Sequence, residues 1–244
     1  MKVKEYLMAK MQERTIHMTL IDPAKQDPTV ASEMASIAES AGTDAFMVGG
    51  STNVTQENLD STVLSIKSGS KLPVIYFPSG AQAISRYADA IYFMSVLNSR
   101  NIRNVIGEQI KGAPIVMELG IEPISMGYVI VEPGMKVGEV GQADPVPRSR
   151  PDLAVAYGLA AQYLGMALLY LEAGSGAPEP VPETMIREVK KHVSIPLIIG
   201  GGIRTPDDAA MIKNAGANAI VTGTIVEDRD FGRRLEEVIR ATRS

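Results

Sequence analysis

The chain contains no cysteine, which excludes disulfides, thiolate metal sites and a cysteine nucleophile. It has no run of basic residues, and 24 Lys and Arg against 28 Asp and Glu leave a formal net charge of -4. A nucleic-acid partner is therefore not expected, because binding a phosphate backbone takes a concentrated cationic surface. The N-terminus lacks the apolar core of a secretory signal, and the expectation is a cytoplasmic protein. No uninterrupted apolar run is long enough to span a membrane. The longest candidate, residues 153–171, is broken by Gly158, Gln162 and Gly165. It divides better into a buried helix over 152–163 and a buried strand over 166–171, so no transmembrane segment is expected. Histidine is scarce too. His17 falls inside a strand and His192 on a helix facing away from the expected site, and neither reads as catalytic.

What the chain does contain is a series of short apolar runs that end in glycine, hydroxyl or carboxylate residues. With 244 residues and 45% hydrophobic composition, the length suits one (β/α)8 domain of about 250 residues. The apolar runs predict strands at 16–21, 44–48, 73–77, 90–94, 127–131, 166–171, 196–199 and 219–222, separated by amphipathic helical patterns. Eight strand-plus-crossover units fit a TIM barrel occupying residues 1–244 as a single domain; an open doubly wound sheet needs far fewer strands. Residues 78–89 are barely long enough for a crossover helix, so the third helix is expected to be short or replaced. Residues 132–151, rich in Gly and Pro, read as a long structureless loop of the kind that is usually functional.

In such a barrel the residues just after each strand face one mouth. Glycine-rich ends follow strands two, six, seven and eight. Carboxylates follow strands one, five and six, as Asp22, Glu132 and Glu172. The run Pro196-Leu-Ile-Ile-Gly-Gly-Gly-Ile-Arg-Thr-Pro206 ends a strand in three glycines and opens a helix with Thr205 as cap and Pro206 at its first position. Bare N–H groups beside a helix start accept an anion without side-chain interference. Together with Gly223-Thr224 they predict a phosphate site after strands seven and eight. Asp22 reads as a metal ligand or a turn former before Pro23. One carboxylate and a hydroxyl, Ser51 or Thr52, suit Mg2+, which keeps waters and takes further ligands from substrate phosphates. Glu172, set in a very apolar stretch, reads as an acceptor of hydroxyls or of a proton. Asp207 and Asp208 complement a helix dipole.

Taken together, Ile21-Asp22-Pro23, Val48-Gly-Gly-Ser-Thr52, Tyr76-Phe-Pro-Ser-Gly80, Tyr170-Leu-Glu-Ala-Gly-Ser-Gly176, Gly200-Gly-Gly-Ile-Arg204 and Thr222-Gly-Thr224 resemble the archaeal geranylgeranylglyceryl phosphate synthases. Bacterial heptaprenylglyceryl phosphate synthases are similar. The resemblance runs from about residue 15 to the C-terminus. It implies Mg-dependent ether formation between the 3-hydroxyl of sn-glycerol 1-phosphate and geranylgeranyl diphosphate. It also implies that Asp22 and Ser51 (or Thr52) bind Mg2+, and that Tyr170, Glu172, Gly174, Ser175, Gly176, Gly201, Gly202, Gly223 and Thr224 bind glycerol 1-phosphate. Glu172 is the implied catalytic residue, and the assembly is expected to be a homo-oligomer, dimer or hexamer, with transient membrane contact for its lipid product. Some family members carry Lys where this chain has Leu20, which shifts diphosphate neutralisation toward Mg2+ and other cations. A groove for the twenty-carbon tail is expected among the third and fourth units, with Tyr87 and Tyr92 as walls. Two other readings share the phosphate loops: a phosphosugar isomerase with Asp22 and Glu132 as opposed acid and base, and a non-catalytic phosphate-binding barrel.

Overall fold

The computed structural model describes residues 2–227 and 231–243. Eight parallel strands close in sequence order: β1 (Ile16–Ile21), β2 (Ala45–Val48), β3 (Val74–Tyr76), β4 (Ala90–Val96), β5 (Glu122–Ile130), β6 (Leu168–Glu172), β7 (Leu197–Gly200) and β8 (Ala219–Thr222). Closure is made by β1 beside β8, with Met18 opposite Val221 and Thr19 opposite Thr222. Alternate residues pack into two separate clusters. Met18, Met47, Tyr92, Met126, Tyr170 and Ile198 fill the barrel interior, whereas Ile21, Val48, Tyr76, Val129, Leu171 and Ile199 pack under the helices. Both faces are apolar, so the strands read as continuous runs rather than as alternating patterns.

The helix α1 (Val3–Glu13) places Val3, Leu7 and Met11 against the interior cluster. Its first N–H groups donate to the Glu122 carboxylate, Val3 N at 2.6 Å and Lys4 N at 3.3 Å, where a negative charge complements the helix dipole. α2 (Pro28–Ala41) and α3 (Gln56–Gly69) cover β1 to β3. Between β3 and β4 there is no helix: residues 78–89 form turns and bends, so the third crossover helix is replaced. A π-helical turn (Arg103–Gly107) runs directly into α4 (Glu108–Leu119), with Pro114 inside it.

The loop over 132–151 is not structureless. It contains α5 (Met135–Val140), too short to register as a helical period, and it is fastened by buried Asn98, whose amide donates to Ile130 O and Asp144 O, each at 2.8 Å. α6 (Pro151–Tyr163) is buried along one face only, through Ala154, Gly158 and Ala161, while Tyr163 is 78% exposed. α7 (Glu183–His192), α8 (Pro206–Asn214) and α9 (Phe231–Arg243) complete the outer layer. The Thr205 hydroxyl and Asp208 carboxylate cap α8 reciprocally with the backbone N–H groups of Asp208 and Thr205. Among the described residues, no helix is long and apolar enough to cross a membrane.

Candidate active site

A cavity of about 340 Å3 opens at the C-terminal ends of the strands, within the range usual for small-molecule sites. One half is polar and the other apolar, and Glu172 stands at the polar half's floor. Glu172 is 7% exposed. Its Oε1 accepts from Gly174 N at 2.6 Å, and its Oε2 accepts from the Tyr128 hydroxyl at 3.1 Å. The Tyr170 hydroxyl is a third donor. Burial pushes the Glu172 carboxyl up from its ordinary value, and the three donors pull it only part of the way back. Burial, reinforced by the Glu172 charge, raises both tyrosines well above the usual phenol range. They therefore remain donors, fixing the carboxylate's orientation.

The glycine-rich loops after β6 and β7 are shaped by backbone rather than by side chains. Gly201 has φ +81°, and a Cβ there would collide with Glu172 Oε1 and come within 2.5 Å of Gly174 N. Only glycine meets both the left-handed geometry and the close approach. Gly202 likewise lies against the backbone of Glu179 and Pro180. Arg204 reaches back to Gly176 O at 2.9 Å, joining the β6 and β7 loops. The hydroxyls of Ser175 and Thr224 stand 3.5 Å apart, which brings the β6 and β8 loops together. Glu172, Ser175 and Gly223 line the cavity itself. Tyr170 is a buried interior side chain, stacked on Phe77 with ring centroids 5.8 Å apart, and acts on the site through Glu172.

Asp22 and Ser51 both line the cavity, with Thr52 beside them. Asp22 Oδ1 accepts from Ala24 N at 3.0 Å, and its carboxylate lies so close over Gly50 that any side chain there would strike it. The turn thus presents a carboxylate beside the β2 loop hydroxyls. This oxygen-only, sparse donor set fits a hard cation whose remaining ligands are waters and phosphate oxygens. Among the described residues, no group of three or more His, Cys, Asp or Glu could hold a metal by itself.

The apolar half is lined by residues of the 78–89 segment, β4 and α4, among them Ile84, Ile91, Phe93, Gly112 and Val116. Tyr92 lines the cavity as expected; Tyr87 does not, because its position on the outer turn leaves it 40% exposed. Leu20 also lines the mouth, and two lysines not singled out from the sequence, Lys25 and Lys136, join it there. Tyr128 escaped notice as well: it is one apolar-looking residue within a strand, and only the register Tyr128 to Tyr170 and Ile130 to Glu172 brings it to the carboxylate.

Glu132 does not line the cavity; its carboxylate accepts from Arg148 N at 3.1 Å. That removes the opposed acid and base pair that an isomerase would draw from Asp22 and Glu132. His17 is a satisfied core histidine, its ring nitrogens 3.0 Å from Thr43 Oγ1 and 2.8 Å from Thr222 Oγ1. Burial lowers its pKa to about 3, so the ring is neutral. His192, at the C-terminal end of α7, contacts Glu188 O at 2.9 Å, away from the mouth.

A buried carboxylate between glycine-rich loops and an apolar cleft, at the C-terminal mouth of a (β/α)8 barrel, suits an enzyme with a two-part, polar and apolar, substrate set. The chain belongs to the PcrB family, whose sequence profile matches residues 8–242. It is 55% identical over 241 residues to the geranylgeranylglyceryl phosphate synthase of Pyrococcus horikoshii, covering 97% of this chain and 95% of that one. It is 52% identical to the synthase of Methanothermobacter thermautotrophicus, covering 98% and 96%. The crystal structure of (S)-3-O-geranylgeranylglyceryl phosphate synthase from Thermoplasma acidophilum, in complex with its substrate sn-glycerol-1-phosphate, superposes with a TM-score of 0.97. The identity is 45%, over 99% of this chain and 98% of that one.

Proposed function

We propose that this protein joins the 3-hydroxyl of sn-glycerol 1-phosphate to C1 of geranylgeranyl diphosphate, the first ether-bond step of archaeal membrane lipid synthesis. The observation that carries the reading is the position of Glu172, an oriented buried carboxylate at the junction of the phosphate loops and the apolar cleft. The relatives support it by name, and one of them holds sn-glycerol-1-phosphate as substrate.

In this reading the Gly201-Gly202 and Gly223-Thr224 backbones and Ser175 take the phosphate, with Gly174 and Gly176 shaping the loop. Glu172 orients the glycerol hydroxyls. As the bond from O3 to C1 forms and the bond from C1 to diphosphate breaks, the hydroxyl proton passes to Glu172. Its raised pKa makes it a stronger base than an ordinary carboxylate. Tyr170 and Tyr128 act by positioning that carboxylate. Asp22 with Ser51 or Thr52 would hold Mg2+, which would supply charge stabilisation to the diphosphate. Lys25 and Lys136, the latter paired with Glu139 at 2.9 Å, line the mouth beside Leu20. The tail lies in the apolar half of the cavity, where burial contributes roughly 25 cal/mol per Å2 of apolar surface.

The test is direct. Protein with Mg2+, sn-glycerol 1-phosphate and a series of prenyl diphosphates should release diphosphate and form an ether, most efficiently with geranylgeranyl diphosphate. The 3-phosphate enantiomer should be rejected, because its hydroxyls cannot meet Glu172 while its phosphate occupies the loops. An optimum at heptaprenyl diphosphate would reassign the activity to the bacterial type. Phosphate binding without an ether product would eliminate prenyl transfer. Omitting Mg2+, with a chelator present, should abolish turnover while leaving glycerol 1-phosphate binding in place.

A further inference from the structure

Residues 78–89 replace a helix yet wall a cavity, which raises the question of what holds them still. The segment has no helix or strand of its own, although Ala83, Ile84, Ser85 and Ala88 are buried. Three side chains from neighbouring helices reach its backbone. Lys67 donates to Tyr87 O at 2.9 Å. Gln56 clasps Ile84, donating to its O and accepting from its N, each at 3.1 Å. Glu108, at the start of α4, accepts from Ala81 N at 2.8 Å.

The Glu108 bond differs from the others because it joins the segment to α4 at the edge of the cavity. Gly80, Ala81 and Ile84 line the cavity beside Glu108, Gly112 and Val116, and the two elements pack on each other there, with room at Gly112 for no more than a methyl before it meets Ile84 and Ala81. The carboxylate thus fastens together two elements that make one continuous apolar wall. Its side chain is 11% exposed and is paired with Arg103 and with Lys111 at 3.2 Å. Burial opposes its ionisation, but the Ala81 N–H, Arg103 and Lys111 outweigh that and lower its pKa to about 2. The charge persists across the pH range in which proteins work, and charge-assisted bonds of this kind are roughly twice as strong as neutral ones.

We propose that Glu108 is a positioning residue for tail specificity: by clamping the 78–89 segment to α4 it holds together the apolar wall against which the long apolar substrate lies. The inference rests on the prenyl-transfer reading for the identity of that substrate. It does not rest on it for the clamp. With the clamp broken, that wall loosens, so a substrate whose apolar part is long enough to lie along it should be affected most.

Three variants, Glu108→Ala, Glu108→Gln and Gln56→Ala, test the proposal by steady-state kinetics with geranyl and geranylgeranyl diphosphate, and by hydrogen exchange at the Ala81 and Ile84 amides. Glu108→Ala should raise KM for geranylgeranyl diphosphate by about tenfold, with kcat and the KM values for geranyl diphosphate and glycerol 1-phosphate changed less than about twofold. Glu108→Gln keeps an acceptor oxygen for Ala81 N–H and should recover most of that loss. Gln56 loosens the same wall from outside the cavity, so Gln56→Ala should give a smaller rise with the same tail dependence. Exchange at Ala81 should quicken by about tenfold or more in Glu108→Ala. An unchanged KM for the long substrate, or an equal rise for every substrate, would overturn the proposal. If Glu108→Ala does not fold, a Gln56→Ala variant without tail dependence would overturn it equally. If the unaltered protein forms no ether, prenyl transfer fails, and unchanged exchange at Ala81 in Glu108→Gln and Glu108→Ala alike would dispose of the clamp separately.

Discussion

The two halves of the mouth are built by opposite means. The half made by the β6, β7 and β8 loops is dense. Glycines with left-handed backbone let main chains approach within contact of Glu172, and Arg204, Ser175 and Thr224 tie the loops together. The half bordered by residues 78–89 and α4 is apolar, and no crossover helix follows β3 there. A phosphate and a set of hydroxyls have fixed geometry, and rigid backbone donors match it at little reorganisation cost. A hydrocarbon tail has none, and a cleft of apolar side chains with a few fastening bonds is enough to receive it.

The largest effect should come from Glu172, which touches both halves. Glu172→Gln keeps the shape and the acceptor geometry of one oxygen but removes the base, and kcat should fall by about a hundredfold. Glycerol 1-phosphate should still bind, as calorimetry can check. The pH profile sharpens this. Because burial raises the Glu172 pKa, the ionised form needed to accept a proton is lost as pH falls through that raised value. The acid limb of kcat/KM should therefore lie above the ordinary carboxylate range, and it should vanish in the variant. A limb at the ordinary carboxylate value would mean that another group is the base.

Asp22→Asn comes next, with turnover lowered by about tenfold and KM for glycerol 1-phosphate unchanged. Mg2+ is proposed to serve the diphosphate and not the polar partner. Saturating Mg2+ should restore part of the loss if the amide oxygen still ligates weakly. Full activity of the variant at limiting Mg2+ would take Asp22 out of the metal site.

The two halves were also unequally legible in the sequence. The dense half advertises itself, because left-handed turns and close approaches demand glycine, and Gly200-Gly-Gly-Ile-Arg204 and Glu172-Ala-Gly-Ser-Gly176 sit at the ends of recognisable strands. The apolar half leaves one trace, the shortness of residues 78–89, from which a missing helix follows but a cleft does not. Its walls, Ile84, Gly112 and Val116, come from separate elements with ordinary apolar spacing. Tyr128 and Glu108 owe their roles to register and to a crossing between helix and loop, neither of which is encoded locally. The six-residue α5 was hidden by Gly134, Gly138 and Gly141, which suppress any helical pattern.

The smallest predicted effects form a matched pair, the same substitution of glycine by alanine made once in each half. At Gly201 alanine must adopt φ +81° and force its Cβ onto Glu172 Oε1, with a conformational cost of roughly 1–2 kcal/mol before any displacement of the carboxylate. KM for glycerol 1-phosphate should rise several-fold and the melting temperature should drop. At Gly112, inside α4, a Cβ would lie 3.6 Å from Ile84 Cδ1 and 3.8 Å from Ala81 Cβ, ordinary contacts. Replacing an interior helical glycine stabilises by about 0.5–1 kcal/mol, which for a chain of this size raises the melting temperature by roughly 1–4 °C. The added methyl narrows the cleft, so KM for geranylgeranyl diphosphate should rise about twofold while geranyl diphosphate is unaffected. Calorimetric melting and steady-state kinetics on the two variants would settle whether glycine serves geometry in one half and room in the other. A stabilised Gly201→Ala, or a Gly112→Ala that weakens both diphosphates equally, would break the distinction.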